Sequence, residues 1–183
     1  FEFSAKASEP WIILSATSGE IEKEQRLQVS IDWEKAPQGK NQGDIIISDS
    51  GEKEATVKVR IFNPSEPKRD SLKGFVEENG YVSIEAENYT KKIDTPKVSW
   101  EKIADYGRTL SAMSIFPVTA DSVTPPKDSP HLEYKMYIFN PGKVEVHGIF
   151  SSTLNFVPDR DLRYAVSFND ESPQIITLTE KDY

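Results

Sequence analysis

Residues 81–89 have the sequence Tyr81-Val82-Ser83-Ile84-Glu85-Ala86-Glu87-Asn88-Tyr89. Apolar residues occupy every second position, at Val82, Ile84 and Ala86, and this period predicts a β-strand with one buried face. The other face would carry both carboxylates, Glu85 and Glu87. Neighbours on one face of a strand stand about 6.6 Å apart, since each residue adds about 3.3 Å. The stretch therefore predicts the first strand of a domain, with two glutamates placed to meet one ligand.

The composition indicates a soluble, strand-rich protein. Its 183 residues can form one large or two small domains with buried cores. Val, Ile, Phe and Tyr recur in short runs, and none of these runs reaches the roughly 18 apolar residues of a membrane span. The formal net charge is −8 and Lys and Arg form no basic stripe, so nucleic acid is not expected as a partner. Cysteine is absent, which excludes disulfides, thiolate metal sites and cysteine nucleophiles.

The first half, residues 1–63, shows short strand patterns and no helical period. The clearest alternation of apolar and polar residues runs over 27–33, and another runs over 55–61 after a predicted hairpin turn. Strands at this spacing predict a small antiparallel β-sandwich of the immunoglobulin-like kind. Its large aromatic residues are predicted to fill the core rather than to form a sugar-stacking platform: Trp11, Trp33 and Phe62.

Residues 64–73 are predicted to link two domains. The segment contains Pro64 and Pro67, and each proline biases the residue before it toward an extended conformation. A linker that contains proline is semi-rigid, so the two domains would keep a preferred orientation. The predicted organisation is a first domain at residues 1–63 and a second domain at residues 74–183.

The second half is predicted to be a jelly-roll-like β-sandwich. Asn79-Gly80 is a strong signal for a hairpin turn immediately before the stretch 81–89. Further strand patterns follow, separated by Pro, Asp and Asn, at residues 106–116, 132–139, 144–150, 162–168 and 175–178. The expected fold class is therefore all-β, with two β-sandwich modules in tandem.

An ordered set of short segments gives the second half a resemblance to a known family. These segments are Gly74-Phe75-Val76, residues 81–89, Trp100-Glu101-Lys102-Ile103, Tyr106-Gly107-Arg108-Thr109, Ser111-Ala112-Met113, Leu132-Glu133-Tyr134 and residues 162–170. Together they resemble the carboxy-terminal domain of glycoside hydrolase family 115, a galactose-binding-like β-sandwich. The first half similarly resembles small immunoglobulin-like modules of the BACON type, at Pro10-Trp11-Ile12, Ser15, Gly19 and Gly43.

The resemblance implies a function and a location. Members of the family are xylan α-glucuronidases, which remove glucuronic or methylglucuronic acid from xylan, and their catalytic residues lie in upstream domains. The chain is then expected to be a non-catalytic C-terminal accessory region of a secreted or periplasmic bacterial hydrolase, serving domain assembly and glycan contact. Its expected partners are the upstream catalytic domains of the same polypeptide and a xylan-type polysaccharide. The alternative is a free-standing carbohydrate-binding or surface adhesion protein.

The resemblance also implies two candidate sites. In related carbohydrate-binding modules a Glu-x-Glu pair holds a structural calcium ion with help from a late-strand acid, and Glu85 and Glu87 match that pair. Solvated or hydrogen-bonded carboxylates are the alternative for these two residues. The resemblance places Trp100 and Tyr106 in a loop near a sandwich edge, where Arg108 can bind a uronic carboxylate through two parallel hydrogen bonds. Trp100 can equally pack against the upstream domains, and no catalytic residue is expected in this chain.

The end of the chain departs from the family pattern. The family domain continues with more strands beyond residues 168–174, whereas this chain stops at Tyr183. Part of the sandwich is therefore expected to be missing, which would leave a strand edge unpaired. An unpaired edge favours association with a second copy, so a homodimer is a further expected assembly.

Overall fold

In the computed structural model the described residues are 1–51, 53–155, 157 and 160–178. Within them the regular structure is β-strand, apart from one short 3₁₀ helix at Arg69–Ser71. The prediction of an all-β fold made of β-sandwich modules is confirmed. Contacts between Cα atoms divide the chain into two compact units, residues 1–82 and residues 83–183. In this described part of the chain, no helix is long and apolar enough to cross a membrane.

The first unit is built on a four-stranded antiparallel sheet and a two-stranded ribbon. Its strands are β1 (Glu2–Ala7), β2 (Ile12–Leu14), β3 (Ser18–Glu20), β4 (Val29–Ile31), β5 (Gly39–Asp49) and β6 (Glu54–Asn63). The order across the sheet is β3-β1-β5-β6, so β6 lies at one edge and β3 at the other. β2 pairs with β4 to form the ribbon.

β5 and β6 form the long hairpin that the sequence predicts, with ten opposed residue pairs. Asp49 holds the turn between them, because its carboxylate Oδ1 accepts hydrogen bonds from the amides of Gly51 at 2.8 Å and Lys53 at 2.9 Å. Aspartate is frequent in turns for this reason, since its short side chain can bind the backbone two or more residues further on. The predicted hairpin is therefore confirmed.

The core of the first unit lies where the ribbon packs against the sheet. The buried cluster consists of Trp11, Ile12, Ala36, Ile45 and Ile61. Trp33 is partly buried against this cluster, so the prediction that Trp11 and Trp33 belong to the core is confirmed. Phe62 lies outside the cluster, because it follows Ile61 on β6 and successive strand residues face opposite sides of the sheet. The prediction that Phe62 fills the core is wrong.

The strand predicted over residues 27–33 is shorter in the structure, because Asp32 ends β4. The Asp32 carboxylate accepts hydrogen bonds from the amides of Glu34 and Lys35, at 3.2 and 3.3 Å. Its carbonyl also accepts one from the amide of Ala36 at 2.9 Å. These local bonds offer the backbone a turn in place of a strand, which is a common role of aspartate.

The predicted linker, residues 64–73, is attached to the first unit through Arg69. The Arg69 guanidinium carbon lies 3.5 Å from the centre of the Trp33 ring, and Nη1 donates a hydrogen bond to the Phe62 carbonyl at 3.0 Å. Burial lowers the pKa of Arg69, and the negative charge of Glu78 acts in the opposite direction. The predicted domain boundaries at 63 and 74 stay predictions, whereas the two compact units divide after residue 82.

The first unit ends with β7 (Phe75–Val76) and a tight turn. Glu78 and Tyr81 exchange backbone hydrogen bonds of 2.9 and 3.2 Å across this turn. Asn79 and Gly80 lie between them with positive φ angles of 52° and 86°. Asparagine and glycine tolerate such angles best, so the predicted Asn-Gly turn is confirmed.

Residues 81–89 do not form the predicted strand. Beyond the bridge at Tyr81 this stretch contains no strand, and residues 86 and 87 form a turn. The amide of Asn88 donates to the carbonyl of Glu85 at 3.0 Å, and the carbonyl of Ala86 accepts from the Tyr134 hydroxyl at 2.7 Å. Because a turn and a side chain bind this backbone, the strand prediction is wrong. Glu85 and Glu87 therefore do not share a strand face.

The second unit consists of short antiparallel ribbons. Its strands are β8 (Lys91–Ile93), β9 (Ser99–Ile103), β10 (Ala112–Phe116), β11 (His131–Glu133), β12 (Met136–Tyr137), β13 (Arg163–Val166) and β14 (Gln174–Thr177). β8 pairs with β11, β9 pairs with β10, and β13 pairs with β14. The strand patterns predicted near residues 162–168 and 175–178 are confirmed by β13 and β14.

Two other strand predictions in this unit are corrected. The run over residues 132–139 is interrupted between β11 and β12, since the Lys135 amide donates to the Thr90 hydroxyl at 2.8 Å. The run over residues 144–150 is not a strand, and every residue from 140 to 155 is exposed. Alternation describes where side chains prefer to lie, but a strand also needs the backbone of a partner.

Candidate functional site

The β9–β10 hairpin carries the three predicted sugar-binding residues, and two of them lie in its loop. Its paired strands end at Ile103 opposite Ala112, and residues 104–111 connect them. We call residues 104–111 the hairpin loop. Tyr106 in this loop is 58% exposed, and Arg108 is exposed as well. A phenol ring and a guanidinium group two residues apart are therefore available to a ligand.

The backbone of the hairpin loop is tightly folded. Asp105 has a positive φ of 56°, and the Gly107 amide donates to the Leu110 carbonyl at 2.9 Å. A Cβ atom at Gly107 would lie 2.7 Å from the carbonyl oxygen of Ser111, closer than real Cβ atoms come to other atoms. Glycine is thus required at 107 for the close approach of the two sides of the loop.

Glu87 binds both the loop and the strand that precedes it. The Lys102 ammonium lies 3.0 Å from Glu87 Oε2, and the Glu87 side chain is 13% exposed. Ser111 also donates hydrogen bonds to this carboxylate. The bonds from Ser111 and Lys102 lower the pKa of Glu87 from its ordinary value of 4.5. Glu87 is therefore a charged group that holds the base of the hairpin loop.

Glu85 binds the same loop at a second point. Its Oε1 accepts a hydrogen bond from the Thr109 hydroxyl. Thr109 and Ser111 lie two residues apart in the loop, and Glu85 and Glu87 lie two residues apart in their own segment. The two carboxylates therefore fasten the loop at two places, which corresponds to the hydrogen-bonded alternative for this pair.

The segment that carries the two glutamates is anchored on its other side by β11 and the residues after it. The amide of Thr90 donates to the Glu133 carbonyl at 2.7 Å. The Tyr134 hydroxyl, which donates to the Ala86 carbonyl, is half-buried, and this burial raises the pKa of Tyr134. The neighbouring Tyr89 raises it further. The glutamates thus connect the hairpin loop to a fixed part of the unit.

Trp100 lies on β9 and not in the predicted loop. Its indole N–H donates to the Pro130 carbonyl at 3.1 Å, and its amide donates to the Asp94 carboxylate at 3.0 Å. Ile103 ends β9 three residues later, which corresponds to about 10 Å along a strand. The structure therefore brings Tyr106 and Arg108 together in one loop, and places Trp100 further along the hairpin in a packed position.

The two predicted calcium ligands have other partners in this structure. Calcium binds six to eight oxygen atoms, and in the described residues no group of three or more His, Asp or Glu side chains comes together. The Lys102 ammonium also occupies the place beside Glu87 Oε2 that a cation would take. The arrangement of Glu85 and Glu87 fits an ion pair and hydrogen bonds better than a calcium ion, and calcium binding stays a prediction.

Sequence reasoning missed the partners of the glutamates. Lys102, Thr109 and Ser111 belong to motifs that carry the family resemblance, but nothing in their spacing indicates contact with residues 85–87. The available signal is the short distance in sequence between β9 and β10, which predicts a hairpin with a loop. Which distant carboxylates close that loop depends on tertiary packing.

The fold and the site define a class of protein: an all-β module that carries an exposed polar loop. Residues 74–182 match the family model of the Glycosyl hydrolase family 115 C-terminal domain. The chain belongs to this family and is a non-catalytic, accessory part of a glycoside hydrolase. No curated protein matches the chain.

Proposed function

We propose that the chain is the C-terminal accessory region of a xylan α-glucuronidase and that its hairpin loop contacts uronic acid side groups of xylan. The observation that carries this proposal is the exposure of Tyr106 and Arg108 on one loop. A guanidinium group binds a carboxylate through two parallel hydrogen bonds, which a neutral sugar cannot form. An aromatic face suits the C–H groups of a sugar ring.

The attachment of the loop supports a binding role. Thr109 and Ser111, which flank Leu110 at the end of the loop, are both bound to carboxylates of another segment. A loop held in one conformation loses less conformational entropy when a ligand binds. Glu85 and Glu87 are thus positioning residues in this proposal, and Arg108 and Tyr106 are the groups that touch the glycan.

Titration of the purified chain with glucuronoxylan oligosaccharides tests this function. We expect shifts of NMR signals confined to residues 104–111 at millimolar ligand, and weaker shifts with xylan oligosaccharides that lack the uronic acid. Arg108→Ala should abolish the preference for the acidic sugar, because the carboxylate loses its charged partner. Arg163→Ala, an exposed arginine on β13, serves as the matched control and should change nothing. Equal responses to both sugars, or no response from the folded protein, contradict the proposal.

Domain assembly is the second part of the proposed function. The segment 140–155 is exposed and contains the apolar residues Val144, Val146, Ile149, Phe150 and Leu154. Ile149 is 71% exposed and Leu154 is 82% exposed, which is unusual for side chains of this size. We propose that the upstream catalytic domains of the same polypeptide cover this segment in a secreted or periplasmic bacterial enzyme. Hydrogen exchange in residues 140–155 that is equally fast in the whole enzyme and in this chain contradicts this role.

The alternative is a free-standing carbohydrate-binding or surface adhesion protein. In this alternative the hairpin loop has the same binding role, but the gene encodes no catalytic region together with this chain. A catalytic region in the same reading frame before Phe1 supports the accessory role, and a secretion signal placed directly before Phe1 supports the alternative. A homodimer is the remaining proposed assembly, and it applies to either protein.

A further inference from the structure

β6 is one of the two edge strands of the four-stranded sheet, and part of its outer side is covered by the chain itself. At Phe62 the carbonyl accepts a hydrogen bond from Arg69, at 3.0 Å, and the amide donates to the carboxylate of Glu78. Both backbone groups of Phe62 therefore point away from β5. Residues beyond Ile61 are thus not available to another strand.

The remainder of this edge is open. Backbone groups of an antiparallel strand point outward at every second residue, so those of Glu54, Thr56, Lys58 and Arg60 point outward as those of Phe62 do. Within the described residues no backbone hydrogen bond reaches these outward groups. The stretch 54–60 contains no proline, and these four residues are all exposed. Its register is uninterrupted by a bulge, and of the devices that protect an edge strand it carries only charged side chains, at Glu54, Lys58 and Arg60.

The two faces of this open stretch differ. Val57 lies directly opposite Ile45 and so shares the core face of the sheet, yet it is 47% exposed whereas Ile45 is 1% exposed. The other face carries Glu54 and Arg60, which have opposite charges and lie three residues on either side of Val57. The stretch is therefore apolar at the centre of its core face, and its other face carries Thr56 and Lys58 at the centre and opposite charges at the two ends.

We propose that a second copy of the chain pairs with β6 in an antiparallel ladder centred on Val57. In this register Val57 lies opposite the partner's Val57, and Glu54 lies opposite the partner's Arg60 at each end. The outward groups of residues 54, 56, 58 and 60 bind those of the partner's residues 60, 58, 56 and 54, which gives about eight backbone hydrogen bonds. The pairing uses the whole open edge and ends where Phe62 is covered.

Opposite charges and an apolar contact favour β6 of a second copy as the partner over an unrelated strand. Opposite charges across a strand pair stabilise it, whereas like charges oppose it. The Val57 pair occupies a site without hydrogen bonds, where the side chains come closest, and the contact would cover an apolar surface now open to water. This inference rests on the homodimer proposed above and is independent of glycan binding.

Sedimentation velocity of the chain at about 10 μM to about 0.5 mM tests the proposal. A contact formed by a single pair of edge strands is small, and small interfaces associate in the micromolar to millimolar range. We expect the wild type to shift from monomer to dimer over this range. Lys58→Pro should reduce the dimer at least about tenfold, because it removes an outward N–H group that β5 does not use. Its melting temperature should stay close to that of the wild type, which separates this effect from unfolding.

Charge-swap variants test the register itself. Glu54→Arg places like charges opposite each other, as does Arg60→Glu, and each should weaken the dimer. The double variant restores opposite charges and should restore it. A wild type that is monomeric throughout overturns both the homodimer and the β6 pairing. A dimer that is insensitive to Lys58→Pro and to the charge swaps, or that the double variant fails to restore, overturns the β6 pairing alone.

Discussion

At the residue scale, Glu87 is the group through which most of the hairpin loop is held. Its carboxylate accepts hydrogen bonds from Ser111 and forms an ion pair with Lys102. At the other point of attachment, the Glu85 carboxylate accepts a hydrogen bond from Thr109. Replacing Ser111 or Lys102 would remove one of the bonds to the Glu87 carboxylate, which is only 13% exposed, and this loss is unfavourable. The position of Arg108 in space therefore depends on a residue that lies about twenty positions earlier in the chain.

The lowered pKa of Glu87 predicts a pH dependence of stability. A carboxyl group whose pKa is depressed in the folded protein contributes stability above its ordinary pKa of 4.5, and the contribution is lost as pH falls through the lowered value. Glu87→Gln should therefore lower the melting temperature at neutral pH, and its difference from the wild type should shrink as pH falls below 4.5. Glu22→Gln, an exposed carboxylate in the first unit, should show no such difference.

The same melting experiment decides the calcium prediction. If Glu85 and Glu87 hold a structural calcium ion, calcium should raise the melting temperature, and Glu85→Ala should abolish that rise. If the Lys102 ion pair is the resident interaction, neither calcium nor a chelator should change the melting temperature. A pH dependence of Glu87→Gln identical to that of the wild type would contradict the role given to the ion pair.

At the element scale, the β9–β10 hairpin combines a regular ladder with a loop whose geometry is imposed from outside. The ladder runs through five opposed residue pairs, and its register follows from the strand pattern. The loop contains a close contact at Gly107 and two bonds to the segment 85–87. The hairpin thus presents Tyr106 and Arg108 from a loop that tertiary contacts hold in place.

Gly107→Ala should disturb the loop without removing any ligand-binding side chain. The new Cβ would lie 2.7 Å from a backbone oxygen of Ser111, so the loop must shift, at an expected cost of about 1–3 kcal/mol. Gly51→Ala is the control, because the nearest atom to its new Cβ, a carboxylate oxygen of Asp49, lies further away at 3.3 Å and a smaller shift is needed. Chemical denaturation and the sugar titration measure the two effects. Unchanged stability and unchanged binding in Gly107→Ala would show that the loop is not tightly held.

At the scale of the whole molecule, the chain forms two compact units, and each has its own β-structure. The first unit extends to residue 82, well beyond the predicted boundary at 63. Arg69, which stacks on Trp33 and binds the Phe62 carbonyl, attaches residues 64–73 to this unit. A segment with the composition of a spacer is therefore attached to the unit that precedes it.

Limited proteolysis tests the attachment of residues 64–73. Trypsin should cut the wild type slowly after Lys68 and Lys73, because Arg69 holds this segment against the first unit. Arg69→Ala removes the stacking contact and one hydrogen bond, at an expected cost of about 1–3 kcal/mol, and should speed these cuts. Arg163→Ala is the control and should leave the rate unchanged. Rapid cleavage of the wild type at these lysines would instead show that this segment is not held against the first unit.

The sequence by itself determined the all-β character, the Asn79-Gly80 turn, the β5–β6 hairpin and the burial of Trp11. Each of these depends on local backbone preference or on the partition of a side chain between water and the core, and both leave a pattern in neighbouring residues. The family was also evident from ordered short segments in the second half. These features could be predicted because few distant residues take part in them.

Only the tertiary structure decided what residues 81–89 do. The alternation of Val82 and Ile84 with polar residues predicts a strand, but the backbone there binds a turn and Tyr134 instead of a neighbouring strand. Glu85 and Glu87 likewise bind Thr109, Ser111 and Lys102, which the fold brings to them from the hairpin. The physical reason is that a periodic sequence fixes which way side chains prefer to face, whereas the partner of each polar group depends on which distant segment packs beside it.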